Sequence, residues 1–119
     1  MTANQPNQIN YIELPAPSSA SIAQAKAFYG AAFGWTFKDW GEDYVDTQSS
    51  GVGSGLNADA SHRPAKPLVV MYVLDLEVTR ALVVDAGGTI TKDIFAFPGG
   101  RRFHFVDPCG NELAAWSER

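Results

Sequence analysis

SIAQAKAFYGAAFG, residues 21–34, and DLEVTRALVVDAGG, residues 75–88, are two versions of one sequence pattern. Each begins with a residue that commonly caps helices, continues with apolar residues at helical spacing, and ends at glycine. Equivalent positions are 54 residues apart, from Ser21 to Asp75 and from Gly34 to Gly88. A repeat at a fixed offset predicts two copies of one supersecondary unit.

Short runs typical of β-strands flank both predicted helices. The runs of the first half are Ile9–Leu14 before the helix, then Trp35–Trp40, Tyr44–Gln48 and Val52–Leu56. The runs of the second half are Leu68–Leu74 before the helix, then Thr89–Phe97, Arg102–Val106 and Glu112–Trp116. Each half therefore predicts a strand, a helix and three strands (βαβββ). We expect one α+β domain over residues 1–119, in which units 9–57 and 68–117 form a curved eight-stranded mixed sheet around a cleft.

Composition excludes several classes of function. A net charge of −4 and a pI near 4.9 argue against nucleic-acid binding, which needs Lys and Arg to neutralise phosphates. The longest apolar run, Leu68–Leu74, is too short to span a bilayer, so no membrane association is expected. Residues 1–8 form a polar lead without the apolar core of a signal peptide, and Cys109 is the only cysteine. Both features predict a cytoplasmic protein.

Three groups of residues resemble the signatures of one superfamily. Ala27-Phe28-Tyr29 followed by Phe33-Gly34-Trp35 resembles its FY…FGW signature, and Ala86-Gly87-Gly88 matches the end of its second helix. Residues 98–101 (PGGR) and 105–111 (FVDPCGN) resemble its PGG…F.DP.GN signature. Over residues 9–117 the chain resembles the vicinal oxygen chelate superfamily of glyoxalases, extradiol dioxygenases, and fosfomycin- and bleomycin-resistance proteins. Residues 11–15 are similar to a group of small glyoxalase-related proteins, most of which lack an assigned reaction.

The same resemblance bears on metal binding. Metal-dependent members hold a divalent ion with His and Glu side chains on strands of both halves. The corresponding positions here, by motif spacing, are Tyr11, Leu68, Ala114 and the segment Gly53–Gly55. None of these residues is a usual ligand for such an ion. The resemblance therefore implies a protein without the family's metal site, and no cofactor is expected.

Glu13 and His104 are the candidate catalytic residues. Tyr11 and Glu13 share one face of the first strand, because alternate side chains point the same way, and the resemblance assigns that face to the cavity. Desolvation there would raise the pKa of Glu13 and suit it to general-base catalysis. His104 shares a face with Arg102 and could shuttle protons near neutral pH. The alternatives are structural: a Glu13–Arg102 salt bridge or backbone cap, and a hydrogen-bonded histidine within the sheet.

Aromatic and basic side chains are the candidates for substrate binding. Arg102 could hold an anionic group through a bidentate pair, and Asp46 alternates with Tyr44 along the third strand. The predicted substrate-binding residues are Tyr11, Trp35, Phe37, Tyr44, Tyr72, Arg102 and Trp116. Packing in the core is the alternative role for the aromatic members of this set.

These observations favour a glyoxalase-like protein that binds a small organic molecule without a metal ion, as bleomycin-resistance members do. The alternative is a lyase, isomerase or other enzyme of the superfamily that uses Glu13 as its acid or base. A module without chemistry of its own also remains open. The resemblance further implies a homodimer.

Overall fold

The computed structural model describes residues 4–119, which contain two helices and eight strands. In chain order the elements are β1 (Gln8–Pro15), α1 (Ser19–Phe33), β2 (Phe37–Asp39), β3 (Tyr44–Thr47), β4 (Ser54–Asn57), β5 (Leu68–Tyr72), α2 (Leu76–Asp85), β6 (Thr89–Phe97), β7 (Gly100–Val106) and β8 (Glu112–Ser117). The predicted α+β class and the order of strand, helix and three strands in each half are confirmed. Residues 1–3 of the predicted polar lead lie outside the described residues.

The chain divides into two compact units. The first unit is residues 11–68, and the second unit is residues 69–119 together with residues 4–10. The start of the chain joins the second unit through two hydrogen bonds: the Asn7 amide donates to the Tyr72 carbonyl at 2.7 Å, and the Trp116 indole donates to Asn10 Oδ1 at 3.2 Å. Among residues 4–119, no helix has the length and apolar character needed to cross a membrane.

The first unit has the strand order β2-β3-β4-β1. Its hairpins are antiparallel, and β4 runs parallel to β1, with Glu13 opposite Gly55. The buried core of this unit consists of Ala16, Ile22, Val45, Leu56 and Ala58. Because Val45 lies in this core, its neighbours on β3, Tyr44 and Asp46, point to the opposite face of the strands. That opposite face carries the polar residues discussed below.

The second unit has the strand order β5-β8-β7-β6, in which β5 and β8 are parallel. Its buried core consists of Val73, Leu76, Phe103, Phe105 and Ala115. Alternation along β7 therefore turns Arg102 and His104 to the face opposite the core, as the sequence predicts. On that face Arg102 lies opposite Trp116 of β8, and His104 lies opposite Ala114.

The start of α1 differs from the predicted start, whereas Asp75 caps α2 as predicted. Ser18, not Ser21, caps α1: its backbone is extended and its hydroxyl accepts the Ser21 amide at 3.2 Å. Ser18, Ser19 and Ser21 are all candidates, and the first of them after Pro17 takes the cap, so the predicted cap at Ser21 does not form. Gly34 ends α1 and Gly87-Gly88 follow the end of α2, as predicted, and the glycines in the left-handed conformation are Gly34 and Gly87.

Two surface ion pairs preserve the 54-residue offset that the helix ends do not. Lys26 of α1 binds Asp39 of β2, and Arg80 of α2 binds Asp93 of β6. The partners in one pair lie 54 positions before the partners in the other. The repeat is therefore kept at the contact between each helix and the strand that follows it.

Candidate functional site

Three predicted site residues of the first unit, Tyr11, Glu13 and Tyr44, are joined by hydrogen bonds. The Tyr44 hydroxyl donates to Glu13 Oε1 at 2.8 Å and lies 2.7 Å from the Tyr11 hydroxyl. The Tyr11 hydroxyl is also hydrogen-bonded to Asp46 Oδ1 at 2.6 Å. We call Tyr11, Glu13, Tyr44, Asp46 and Asn57 the hydroxyl–carboxylate cluster. It forms because alternation on β1 and β3 turns all four acidic and phenolic side chains away from the core.

Glu13 forms the buried end of this cluster. Its side chain is 1% exposed, which makes it one of the most deeply buried large side chains in the described chain. A buried carboxylate is stable only when its oxygens are hydrogen-bonded. Tyr44 supplies a donor to Oε1, and the Asn57 side-chain amide donates to Oε2 at 3.3 Å. Asn57, which lies just after the predicted fourth strand Val52–Leu56, is therefore part of the site.

Asp46 forms the solvent-side end of the cluster. Its Oδ2 accepts a hydrogen bond from the Trp40 indole at 2.8 Å, and Trp40 is 55% exposed. Lys38 lies opposite Asp46 in the β2–β3 register, and its ammonium lies 4.3 Å from the centre of the Trp40 ring. The hydrogen-bonded groups therefore extend without interruption from an exposed indole to a buried carboxylate.

Both phenols of the cluster are held in the neutral form. Burial, followed by the hydrogen bond to Asp46, raises the pKa of Tyr11 far above its ordinary value of 10.0. Burial, followed by the charge of Glu13, raises the pKa of Tyr44 in the same direction. Removing a proton would place a phenolate beside existing carboxylates in a desolvated site. The two hydroxyls therefore remain hydrogen-bond donors throughout the neutral pH range.

Gly55 provides the space that the two phenols occupy. A Cβ atom at this position would overlap the Tyr11 hydroxyl and lie 2.8 Å from the Val45 carbonyl oxygen. It would also lie 3.0 Å from Cε1 of the Tyr44 ring. Glycine is thus required because the phenols pack directly against the backbone of β4. From the sequence, this residue belongs to the predicted strand Val52–Leu56, with nothing to indicate that phenols pack against it.

The residues at the family's metal-ligand positions do not fit a divalent ion. A metal would need the Tyr11 oxygen as phenolate, but this hydroxyl is protonated and bonded to Asp46 and Tyr44. Leu68 and Ala114 are buried and have no donor atom in their side chains. Ser54, in the fourth-strand segment, bonds to other hydroxyls. Within residues 4–119, no group of three or more His, Cys, Asp or Glu side chains could hold a metal ion.

The second unit brings together a different set of predicted residues around Arg102. The guanidinium carbon lies 5.2 Å from the centre of the Phe95 ring and 5.8 Å from that of Phe97, within the range of cation–π attraction. The Trp116 ring lies 6.2 Å from Phe97 and 5.1 Å from Tyr72. We call Tyr72, Phe95, Phe97, Arg102 and Trp116 the arginine–aromatic cluster. Arg102 is 7% exposed, so most of its contacts are with protein atoms.

His104 lies next to the arginine–aromatic cluster. It is 3% exposed, and the centre of its ring is 5.8 Å from that of Phe95. Its Nδ1 lies 3.9 Å from Glu112 Oε2, which is beyond hydrogen-bond distance but close enough for attraction to a protonated imidazole. A charged partner at this distance is compatible with the predicted role in proton transfer. That role stays a prediction.

Trp35 and Phe37 belong to neither cluster. Trp35 stacks on Tyr29 of α1, with ring centres 4.7 Å apart and an interplanar angle of 8°. Phe37 packs against the core of the first unit. The run Trp35–Trp40 alternates as predicted, but its face toward the hydroxyl–carboxylate cluster carries Lys38 and Trp40. Trp40 is absent from the predicted site residues, because alternation alone does not show which face of a strand is the core face.

The surface has an open depression in each of the two units. One, of about 430 Å³, is lined by Tyr72, Leu74, Ser117, Glu118 and Arg119 of the second unit. The other, of about 360 Å³, lies in the first unit beside α1 and is lined mainly by apolar residues such as Leu14, Ala25 and Leu56. Only the first contains a predicted site residue, Tyr72, whose hydroxyl donates to Glu118 Oε1 at 3.0 Å.

Comparison with solved structures supports the fold. A structure described as an NAD-dependent benzaldehyde dehydrogenase from Legionella pneumophila superposes with a TM-score of 0.72 at 14% identity, over 90% of this chain and 96% of that chain. The Mn(II)-bound glyoxalase from Novosphingobium aromaticivorans superposes with a TM-score of 0.65 at 19% sequence identity, over 98% of this chain and 40% of that chain. A glyoxalase/bleomycin resistance protein/dioxygenase superfamily member from Vibrio splendidus 12B01 superposes with a TM-score of 0.62 at 17% sequence identity, over 90% of this chain and 96% of that chain.

A comparison with curated protein sequences gives no match. A family model does match: the model of the Glyoxalase/Bleomycin resistance protein/Dioxygenase superfamily covers residues 8–115, nearly all of the sequence. The resemblance found in the FY…FGW and PGG…DP.GN signatures is thereby confirmed. This chain belongs to the Glyoxalase/Bleomycin resistance protein/Dioxygenase superfamily.

Proposed function

We propose that this protein binds a small organic anion and does so without a divalent metal ion. The observation that carries the proposal is the arginine–aromatic cluster, in which the Arg102 cation lies against two phenylalanine rings. Aromatic faces bind planar organic groups, and a guanidinium recognises carboxylates through paired hydrogen bonds. Together they provide the two kinds of contact that a small organic anion needs.

The neighbouring depression supports this proposal. Its volume of about 430 Å³ falls within the usual range for small-molecule sites. Tyr72, a member of the arginine–aromatic cluster, lines it and contacts the Trp116 ring. The Arg119 and Glu118 side chains that line it add polar groups that could orient a ligand. The metal-free part of the proposal is supported by the donor-poor residues at the family's ligand positions.

A calorimetric titration with aromatic carboxylates, each paired with its neutral amide, tests the role of the cation. We expect the carboxylates to bind more tightly than the amides. Replacing Arg102 with methionine should weaken carboxylate binding by about 10- to 100-fold, as expected for a charge-assisted hydrogen bond. The matched control is Arg101→Met, because Arg101 is only partly buried and its guanidinium already binds Glu77 and the Arg119 carbonyl. Equal binding of carboxylates and amides, or equal losses in both variants, would contradict the proposal.

Elemental analysis of the untagged protein tests the absence of a metal requirement. We expect less than one equivalent of tightly held transition metal per chain, and carboxylate binding that a chelator leaves unchanged. One equivalent of Mn, Fe, Ni or Zn, with binding lost on its removal, would overturn this part of the proposal.

The second candidate function is a lyase or isomerase reaction with Glu13 as the general base. The observation that favours it is a carboxylate that is 1% exposed and hydrogen-bonded to a phenol, an environment suited to proton abstraction next to a carbonyl. Glu13→Gln keeps the size of the side chain but removes the base. We expect this variant to bind ligands and to lose ligand-proton exchange with deuterated solvent, whereas Glu42→Gln in an exposed turn keeps it. Undiminished exchange in Glu13→Gln would exclude the carboxylate as the base.

The proposal includes a cytoplasmic homodimer, as the resemblance to the superfamily implies. The net charge of −4 supports a partner other than nucleic acid. Light scattering should give twice the chain mass of 12.8 kDa, and a monomer mass in dilute solution would contradict the dimer.

A further inference from the structure

The hydroxyl–carboxylate cluster contains one line of four oxygen atoms. They are Asp46 Oδ1, the Tyr11 hydroxyl, the Tyr44 hydroxyl and Glu13 Oε1, separated in that order by 2.6, 2.7 and 2.8 Å. Each separation is typical of an O–H···O hydrogen bond, so each contact requires one proton between its two oxygens. The line therefore requires three protons.

Counting the available protons shows a deficit. A phenol carries one hydroxyl proton, and an ionised carboxylate carries none. If Asp46 and Glu13 were both ionised, Tyr11 would donate to Asp46 and Tyr44 would donate to Glu13. The 2.7 Å contact between the two hydroxyls would then hold two oxygen atoms together without a proton. One of the two carboxyl groups must supply the third proton.

We propose that Asp46, Tyr11, Tyr44 and Glu13 form a proton relay that holds one carboxylic proton shared between its two ends. With the proton on Asp46, the carboxyl donates to Tyr11, Tyr11 donates to Tyr44, and Tyr44 donates to an ionised Glu13. With the proton on Glu13, all three hydrogen bonds run the other way and Asp46 is ionised. The two arrangements interconvert when each proton crosses its own hydrogen bond, and no heavy atom needs to move.

The ends of the relay lie in different surroundings. Asp46 is bonded to a half-exposed indole and lies opposite Lys38, whereas Glu13 is buried with Asn57 as a further donor. The relay therefore connects the solvent side of the first unit with the buried carboxylate. It can return to Glu13 a proton that Glu13 has given up, whatever group removed it. This inference does not depend on ligand binding at the arginine–aromatic cluster.

Carbon-13 NMR of labelled aspartate and glutamate carboxyl groups tests the relay. Asp46→Asn and Glu13→Gln assign the two resonances. In the unmodified protein at pH 7 we expect both resonances to lie between the protonated and ionised limits, because the proton exchanges between the ends. In Asp46→Asn the amide still donates to Tyr11, so the Glu13 resonance should move to its ionised limit. In Glu13→Gln the Asp46 resonance should do the same.

Tyr29→Phe is the control, because this phenol stacks on Trp35 outside the relay and its loss should move neither resonance. Two fully ionised carboxyl groups at pH 7 in the unmodified protein would overturn the proposal. So would one carboxyl group that is fully protonated beside one that is fully ionised, because the proton would then be localised. Both outcomes are read from the spectrum of the unmodified protein, and the two variants serve only to assign its resonances.

Discussion

The two units have the same order of elements but opposite chemistry on corresponding strand positions. The pair Tyr44–Asn57 on β3 and β4 corresponds to the pair Arg102–Trp116 on β7 and β8. In the same way, Asp46–Gly55 corresponds to His104–Ala114. Acidic and phenolic groups in the first unit are thus matched by basic and aromatic groups in the second. The scaffold sets which positions share a face, and the side chains decide what that face does.

The first strands of the two units, β1 and β5, also carry a polar residue and an apolar residue at corresponding buried positions. Glu13 lies opposite Gly55 on β4, and Val70 of β5 lies opposite Ala114 on β8. Both side chains are almost fully buried, Glu13 at 1% and Val70 at 3% exposure. Burial stabilises the valine directly, whereas the carboxylate needs Tyr44 and Asn57 as donors to offset its desolvation. A polar group at this position is costly to the fold, which is consistent with a functional role for Glu13.

The largest expected effect that separates the units is the response to alkaline pH. Tyr11 and Tyr44 ionise near pH 10 in the unfolded chain, but burial raises the pKa of both in the folded protein. The unfolded state therefore releases more protons above pH 10, so stability is fully present below that pH and falls as the pH rises above it. We expect a steep loss of the free energy of unfolding above pH 10, measured by urea denaturation at a series of pH values.

The double variant Tyr11→Phe, Tyr44→Phe serves as the control for this pH effect. It is expected to be less stable at pH 7, because the Glu13 and Asp46 carboxylates lose donors, yet to depend less on pH above 10. Absorbance of tyrosinate should rise together with unfolding in the unmodified protein. Normal ionisation of all four tyrosines at pH 10 in the folded protein would show that the cluster is not buried as described.

The next effect comes from giving the first unit the alanine of the second. Gly55→Ala would place a Cβ on the Tyr11 hydroxyl and against the Val45 carbonyl, whereas the second unit has an alanine, Ala114, at the corresponding position. We expect the free energy of unfolding to fall by about 1–3 kcal/mol, as for other overpacked sites. The measurement is urea denaturation at pH 7.

Gly30→Ala is the matched control for Gly55→Ala. A Cβ at Gly30 would meet its nearest atom, the Trp35 carbonyl oxygen, at an ordinary 3.6 Å. This residue is inside α1, where alanine is favoured over glycine by up to about 1 kcal/mol, so the control should be neutral or stabilising. If both variants lost stability equally, close packing of the phenols on β4 would not be the cause.

Alternation along the strands was sufficient to predict which polar residues share a face. Tyr11 with Glu13, Tyr44 with Asp46, and Arg102 with His104 follow directly from the two-residue period of β-strands. The period alone does not identify the core face of an isolated run, which is why Phe37 was assigned to the site and Trp40 was not. That choice depends on the tertiary contacts of β2.

Residues in glycine- and serine-rich stretches were the hardest to interpret. Gly55 falls within the predicted strand Val52–Leu56 and Asn57 lies just beyond it, and both residue types are depleted in strands. Their positions are explained by the phenols and the carboxylate that pack against them, and these come from strands distant in sequence. The start of α1 was ambiguous for a local reason, because Ser18, Ser19 and Ser21 can each act as a cap.

The smallest expected effect concerns the ion pair that the units share. Arg80 donates two hydrogen bonds to Asp93, at 2.9 and 3.1 Å, whereas Lys26 donates one to Asp39, at 2.8 Å. Both pairs are solvated, so replacing either cation with methionine should lower the melting temperature only slightly. The bidentate geometry predicts a larger loss for Arg80→Met than for Lys26→Met. Methionine retains much of the apolar stem, so the loss reports mainly on charge.

Salt and pH separate this electrostatic contribution from packing. In 1 M NaCl the difference between each variant and the unmodified protein should become smaller, because the screening length falls to about 3 Å. The hydrogen bonds from Arg80, followed by that from the Ile94 amide, lower the pKa of Asp93. Its stabilising contribution is therefore present above its ordinary pKa of 3.8 and is lost as the pH falls through the lowered value. A loss in Arg80→Met that persists in high salt and at low pH would show that the arginine stem, and not the ion pair, joins α2 to β6.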